Sequence, residues 1–143
     1  MMGWYMEKKI ESKMEQANKL IFVKDYEAAK ELLIEVISSD QGKNELTVHL
    51  RLVELAVKLE HTEEFIIFYD EMKQSGFFTN KVADFSKAFL RQQAELIPIE
   101  DSIEEFITLL DKYSDEAAAY YAIGFGLEHL NQWERAISNY EKA

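Results

Sequence analysis

Apolar residues recur at intervals of three and four along nearly the whole chain, and this spacing restricts most what the chain can fold into. It places the apolar side chains on one face of an α-helix, and that face must pack against another element. Eight segments follow the pattern, separated by short polar breaks such as Lys24–Asp25 and a turn at Asp40–Lys43. We therefore expect eight helices arranged as four antiparallel pairs.

Particular residues predict where several of these helices begin and end. Short polar side chains cap a helix because their oxygen accepts a hydrogen bond from a free backbone N–H. The predicted N-terminal caps are Asp25, Thr62, Asp101–Ser102 and Ser114–Asp115. Ser75–Gly76 and Pro98 are expected to end the fourth and fifth helices, because glycine terminates helices readily and proline does not continue one.

The composition supports an all-helical chain and excludes several classes of function. With 5 Gly and 1 Pro, the chain has few of the turns that sheet-rich folds need. The absence of Cys excludes disulfides, zinc–thiolate sites and thiol catalysis. The net charge of −11 opposes binding to nucleic acid or to an anionic membrane. No secretory signal pattern is present at the start, so we expect a cytoplasmic protein. We also expect no cofactor.

Residues 117–143 carry the most specific pattern in the chain. Its key positions are Tyr120, Ile123, Gly124, Leu127, Trp133, Ala136, Tyr140 and Ala143. In the size and spacing of these residues the segment closely resembles the tetratricopeptide repeat, a helix–turn–helix unit of 34 residues. A glycine inside a helix costs about 1 kcal/mol relative to alanine. Gly124 is therefore expected where another helix crosses closely, with Ala136 opposite it.

The same resemblance extends less exactly to residues 10–43, where Ala17 replaces the repeat's glycine. The second and third pairs depart further, since Phe65 and Phe106 occupy the position of the small alanine. The equivalent positions Ala29, Phe65, Phe106 and Ala136 are spaced by 36, 41 and 30 residues. The resemblance implies an all-α, right-handed solenoid of about four antiparallel helical hairpins, forming one domain over residues 1–143. The large Phe side chains are expected to push their two helices apart.

The last helix is expected to leave an apolar face uncovered around Leu130, Ile137 and Tyr140. Repeat arrays usually finish with a polar capping helix, and the final repeat stops short of its usual length. Two interpretations remain open. Either the chain is the N-terminal part of a longer protein, or it self-associates through the uncapped C-terminal helix.

In tetratricopeptide repeats the first helix of each pair lines a concave groove that holds peptides. By this resemblance the inward positions are Glu11, Met14, Asn18, Ile21 and Phe22 in the first repeat, Thr47, Leu50, Glu54, Val57 and Lys58 in the second, and Ala118, Tyr121, Phe125, Glu128 and His129 in the fourth. Of these we select as groove residues Asn18, Glu54, Tyr121, Phe125, Glu128 and His129. Met14 stands where chaperone-binding repeats carry Lys, so a carboxylate clamp is not expected. The alternative is that Tyr121 and Phe125 only pack against a neighbouring helix.

No catalytic or metal-binding motif is apparent. The histidines His49, His61 and His129 are not spaced as metal ligands, and each is expected to be exposed or to line the groove. Adjacent acidic pairs such as Glu63–Glu64 fall in the first turns of helices, where negative charge suits the helix dipole. We therefore expect no metal site and no enzyme activity.

Two functions remain open at this point. The first is a non-catalytic scaffold that binds a peptide or protein partner, either basic or apolar, in the groove. The second is the helical-repeat arm of a larger enzyme, for example a bacterial glycosyltransferase or a regulatory phosphatase, used to position substrate or to mediate assembly.

Overall fold

The computed structural model describes residues 2–114 and 116–143, with side chains from residue 9 onward. Over this described part the chain forms eight helices and no strand, which confirms the prediction of an all-helical protein. The helices are α1 (Met2–Phe22), α2 (Tyr26–Ile37), α3 (Leu46–Lys58), α4 (Thr62–Ser75), α5 (Asn80–Gln93), α6 (Ile99–Tyr113), α7 (Ala117–His129) and α8 (Trp133–Lys142).

Two of the predicted helix ends are confirmed. The side chain of Asp25 accepts a hydrogen bond from the backbone N–H of Ala28 at 3.3 Å and so caps α2. α4 ends at Ser75, and Gly76 follows in the left-handed conformation with φ of 75°. Glycine adopts this conformation without the steric cost that a side chain adds.

Other predicted ends are wrong. His61, not Thr62, occupies the cap position of α4, and Thr62 is the first helical residue. α5 ends at Gln93, five residues before Pro98, so Pro98 does not end it. α6 begins at Ile99, directly after Pro98, so Asp101–Ser102 lies inside its first turn. Proline suits this place because its φ is fixed near the helical value and its missing N–H is not needed there. The N-terminal cap of α7 is Glu116 rather than Ser114, and Asp115 lies outside the described residues.

The chain divides into two compact units, Met1–Ser86 and Lys87–Ala143, with the boundary inside α5. The single domain expected over residues 1–143 stays a prediction. In the first unit α2 packs against both α1 and α3. Lys13 on α1 pairs with Glu35 on α2 at 2.6 Å, and these residues lie equally far from the turn between the helices, as in an antiparallel hairpin.

An aromatic core joins α3, α4 and the segment after α4. His49 is fully buried there, with its ring 4.7 Å from Phe78 and 5.7 Å from Tyr69. Its Nε2 donates a hydrogen bond to the carbonyl of Lys43 at 2.8 Å, so the neutral ring leaves the buried Nδ1 without a partner. Burial lowers the pKa of His49 to about 4. The expectation that each histidine is exposed or lines a groove is therefore wrong for His49, because its ring completes an apolar cluster.

In the second unit α7 packs against both α6 and α8. A Cβ atom on Gly126 would lie 2.8 Å from Cγ1 of Ile103, and one on Gly124 would lie 2.7 Å from the ring of Tyr140. The close helix crossing expected at Gly124 is confirmed, but the nearest atoms belong to Tyr140 rather than to Ala136. Tyr140 lies one turn after Ala136, and its ring covers the surface that the missing side chain leaves open.

The four positions aligned as repeat equivalents share one property. Ala29, Phe65, Phe106 and Ala136 lie on α2, α4, α6 and α8, and all four are buried. The backbones of α3 and α4 come close over a shorter stretch than those of α1 and α2. This difference is consistent with the expectation that the bulk of Phe65 separates its hairpin.

Candidate functional site

α7 carries one stripe of exposed and partly exposed residues beside its buried positions. Tyr121 is 58% exposed, Phe125 is partly exposed, and Glu128 and His129 are exposed. The buried positions of α7 are Ala119, Ala122, Ile123, Gly124, Gly126 and Leu127. The Tyr121 stripe is thus less buried than these positions, and its assignment to a groove stays a prediction. Of the key repeat positions on α7, which are Tyr120, Ile123, Gly124 and Leu127, Tyr120 alone is only partly buried.

Phe125 and His129 form a pair at the C-terminal end of α7. Their ring centroids lie 4.3 Å apart, and the planes are tilted by 47°. Nδ1 of His129 lies 2.9 Å from the carbonyl oxygen of Phe125, which can only accept a hydrogen bond, so Nδ1 must carry the proton. In the neutral form of the ring this hydrogen bond selects one tautomer, in which Nε2 is the acceptor atom.

Tyr140 on α8 completes the site, although sequence reasoning assigned it to the repeat core. Its ring lies 5.4 Å from that of Tyr121, and its hydroxyl donates a hydrogen bond to Oε2 of Glu128 at 2.7 Å. Desolvation, together with the hydrogen bond and negative charge of Glu128, raises the pKa of Tyr140 to about 12. The sequence signal for this role is the pairing of Gly124 with an aromatic residue on the following helix.

The α7 surface is thus an aromatic and acidic patch. We name Tyr121, Phe125, Glu128, His129 and Tyr140 the α7 patch. It offers two tilted tyrosine rings, a carboxylate held beside them and an imidazole with a fixed acceptor. Aromatic faces and a carboxylate both attract cations, so the chemistry suits a Lys or Arg side chain with apolar neighbours.

The two remaining predicted groove residues belong to the first unit, on different helices. Asn18 on α1 and Glu54 on α3 are both exposed. Glu54 accepts a hydrogen bond from Arg51 of its own helix at 2.9 Å. None of the fifteen positions predicted to face the groove is buried. Their joint assignment to one groove stays a prediction.

The last helix leaves two large apolar side chains exposed, and the sequence predicts this for one of them, Ile137. Ile137 is 57% exposed and Trp133 is 55% exposed. Tyr140 and Leu130 are partly buried, and Tyr140 packs over Gly124 rather than facing outward alone. Self-association through this helix stays a prediction.

Across residues 2–114 and 116–143, no three His, Asp or Glu side chains come together in a way that could hold a metal ion. In the same part of the chain, every helix is too short or too polar to cross a membrane.

Comparison with known proteins adds no relative. No protein-family model matches the chain, and no curated protein matches it.

Proposed function

We propose that this chain is a non-catalytic interaction module, a right-handed solenoid of the tetratricopeptide-repeat type in the cytoplasm. In this proposal the α7 patch holds a peptide or a segment of a protein partner. The observation that carries it is that Tyr121 is exposed and Phe125 partly exposed on a helix whose residues Ile123 and Leu127 are buried. An aromatic side chain that the core does not need is available to a ligand.

Two features of the chain support the repeat architecture. The four aligned positions on the second helices are buried in each case, as a repeat requires of its packing residues. The positions assigned to the inner side of the first helices are unburied in each case. A solenoid explains both regularities, because each hairpin then presents the same two sides to the neighbouring hairpins and to the groove.

The partner we propose is a basic segment with an apolar anchor. Tyr121 and Tyr140 supply rigid aromatic surface. Tyrosine is common among the interface residues that contribute most of the binding energy. Glu128 supplies negative charge beside the rings, within a chain whose net charge is −11. A Lys or Arg side chain of the partner gains cation–π and charge-assisted contacts there.

The test is a selection from a displayed library of random peptides against the whole chain. Selected peptides are then measured against Phe125→Ala and Tyr121→Ala, with Ile107→Ala as the matched control. Ile107 is an exposed apolar residue of α6 in the same unit and lies outside the patch. We expect the two patch variants to bind at least tenfold more weakly and the control to bind as the natural chain does. Equal binding by all three variants contradicts the proposal.

A further inference from the structure

A second surface in the first unit has the properties of a binding site and is independent of the α7 patch. It is a depression of about 230 Å³ between α2 and α4. Its lining residues are Ile34, Glu64, Phe65, Ile67, Phe68 and Glu71. The groove predicted from the resemblance uses α1 and α3, so this depression belongs to the other helices of the two hairpins.

The depression has an apolar floor that the core of the unit does not fully use. Phe65 is 3% exposed and is part of the core, whereas Phe68 is only partly buried. Ile67 is 57% exposed on the same helix. Packing within the unit accounts for Phe65, but it leaves most of the Ile67 side chain in water. A ligand that covers Ile67 therefore gains the free energy of removing apolar surface from water.

Carboxylates border this apolar floor at both ends. Glu64 and Glu71 are exposed and lie seven residues apart on α4, which places them about 10 Å apart along one side of the helix. Glu31 is exposed on α2, one turn before Ile34. Among the six described lining residues there is no Lys or Arg. His61 lies 4.0 Å from Glu64 and is a cation there only when protonated.

We propose that the α2–α4 depression binds a basic segment of another protein, with an aliphatic side chain covering Ile67 and two Lys or Arg side chains reaching Glu64 and Glu71. Cationic residues about 10 Å apart on one face are three residues apart in a polyproline II segment and seven apart in an α-helix. A second copy of this chain is the less favourable occupant, because two chains of net charge −11 repel each other.

The test uses a displayed library of random 16-residue peptides, selected against the whole chain. The clones are then sorted by their binding to Ile67→Ser and to the double variant Glu64→Gln/Glu71→Gln. Matched controls are Ile107→Ser, which alters an exposed isoleucine of α6, and Glu63→Gln/Glu104→Gln, which removes two exposed carboxylates outside the depression. Tyr121→Ala separates these clones from any that bind the α7 patch.

The expected result is a class of clones that bind at least tenfold more weakly to Ile67→Ser. These clones should carry an aliphatic residue between Lys or Arg residues and bind roughly threefold to tenfold more weakly to the double variant. Their affinity should fall with added salt and should not change in Tyr121→Ala or in either control.

Several results would overturn the proposal. One is a selection in which no clone depends on Ile67, and another is a dependent class without an excess of Lys and Arg. Full binding to the double variant would exclude the two carboxylates as partners. Sedimentation showing a dimer that Ile67→Ser dissociates would assign the depression to a second copy instead. Loss of binding in Tyr121→Ala would show that the clones bind the α7 patch instead of the depression.

Discussion

The hydroxyl of Tyr140 donates a hydrogen bond to Glu128 at 2.7 Å, so α8 and α7 are joined at the edge of the same aromatic pair that forms the candidate site. This contact links the stability of the hairpin to the shape of the α7 patch. The strength of this hydrogen bond can be measured separately from binding, because it changes the pH at which the Tyr140 hydroxyl loses its proton.

Tyr140 should therefore ionise later than an ordinary tyrosine. Its pKa is raised from 10.0 to about 12 by desolvation and by Glu128, so the stability that the contact adds is complete below pH 10 and is lost toward pH 12. Tyrosinate absorbance near 295 nm should show this late step. In Tyr140→Phe this step should shrink to the part that comes from Tyr69, whose pKa is also raised by burial, and in Glu128→Gln the Tyr140 part should move to lower pH. An unchanged late step in both variants would contradict the assignment.

His49 should make the first unit sensitive to acid. Its pKa is lowered from 6.5 to about 4 by burial, so the unfolded chain binds a proton in a range where the folded chain does not. Stability should therefore fall as the pH drops from about 6.5 to about 4, by about 3 kcal/mol in total.

Denaturant unfolding at a series of pH values measures this loss, with His49→Gln as the comparison. The variant should be less dependent on pH between 6.5 and 4.5, because its amide does not titrate. Glu35 also has a lowered pKa, from its contact with Lys13, but its contribution is lost only below about pH 4.5. If the stability of the natural chain depends as little on pH between 6.5 and 4.5 as that of the variant, then His49 accepts a proton in the folded state.

Gly126 should tolerate a methyl group less well than Gly124. The added Cβ at Gly126 would press on Cγ1 of the buried Ile103, whereas at Gly124 it would meet the ring of the partly exposed Tyr140. We expect Gly126→Ala to cost about 1–3 kcal/mol from overpacking, reduced by about 1 kcal/mol of helix propensity. Thermal melting of the two alanine variants makes the comparison, and a lower melting point for Gly124→Ala would reverse our order.

Phe125→Ala should affect binding more than stability. Phe125 is only partly buried and pairs with His129, while Phe106 in the same unit is fully buried. Truncation of a core phenylalanine costs about 3–5 kcal/mol, so Phe106→Ala is the reference for a core residue. We expect Phe125→Ala to lose less than half of that amount. An equal loss would make Phe125 a core residue and would remove it from the candidate site.

The sequence predicted the helices well because their apolar periodicity is a local property that survives into the fold. The buried state of Phe65 and Phe106 could also be predicted from their register with Ala29 and Ala136. The burial of His49 could not, because it depends on Phe78 and Tyr69, which come from segments distant along the chain.

The candidate site was predictable in part for the same reason. Three-and-four spacing places Tyr121, Phe125 and Glu128 on one stripe of a single helix. The part played by Tyr140 depends on how α8 crosses α7, since its ring fills the space beside Gly124. Such a crossing is a tertiary property that spacing within one helix does not determine.

The two glycines of α7 have a consequence for the order in which this unit loses its structure. Together they cost the helix about 2 kcal/mol of intrinsic propensity, so α7 is helical chiefly because its neighbours hold it. Within α8, all of which is described, Ala136 is the one buried residue. α8 should therefore detach by local unfolding before the rest of the unit opens, and its departure removes Tyr140 from the patch. Amide hydrogens of α8 should exchange first, and a bound partner that contacts Tyr140 should slow that exchange.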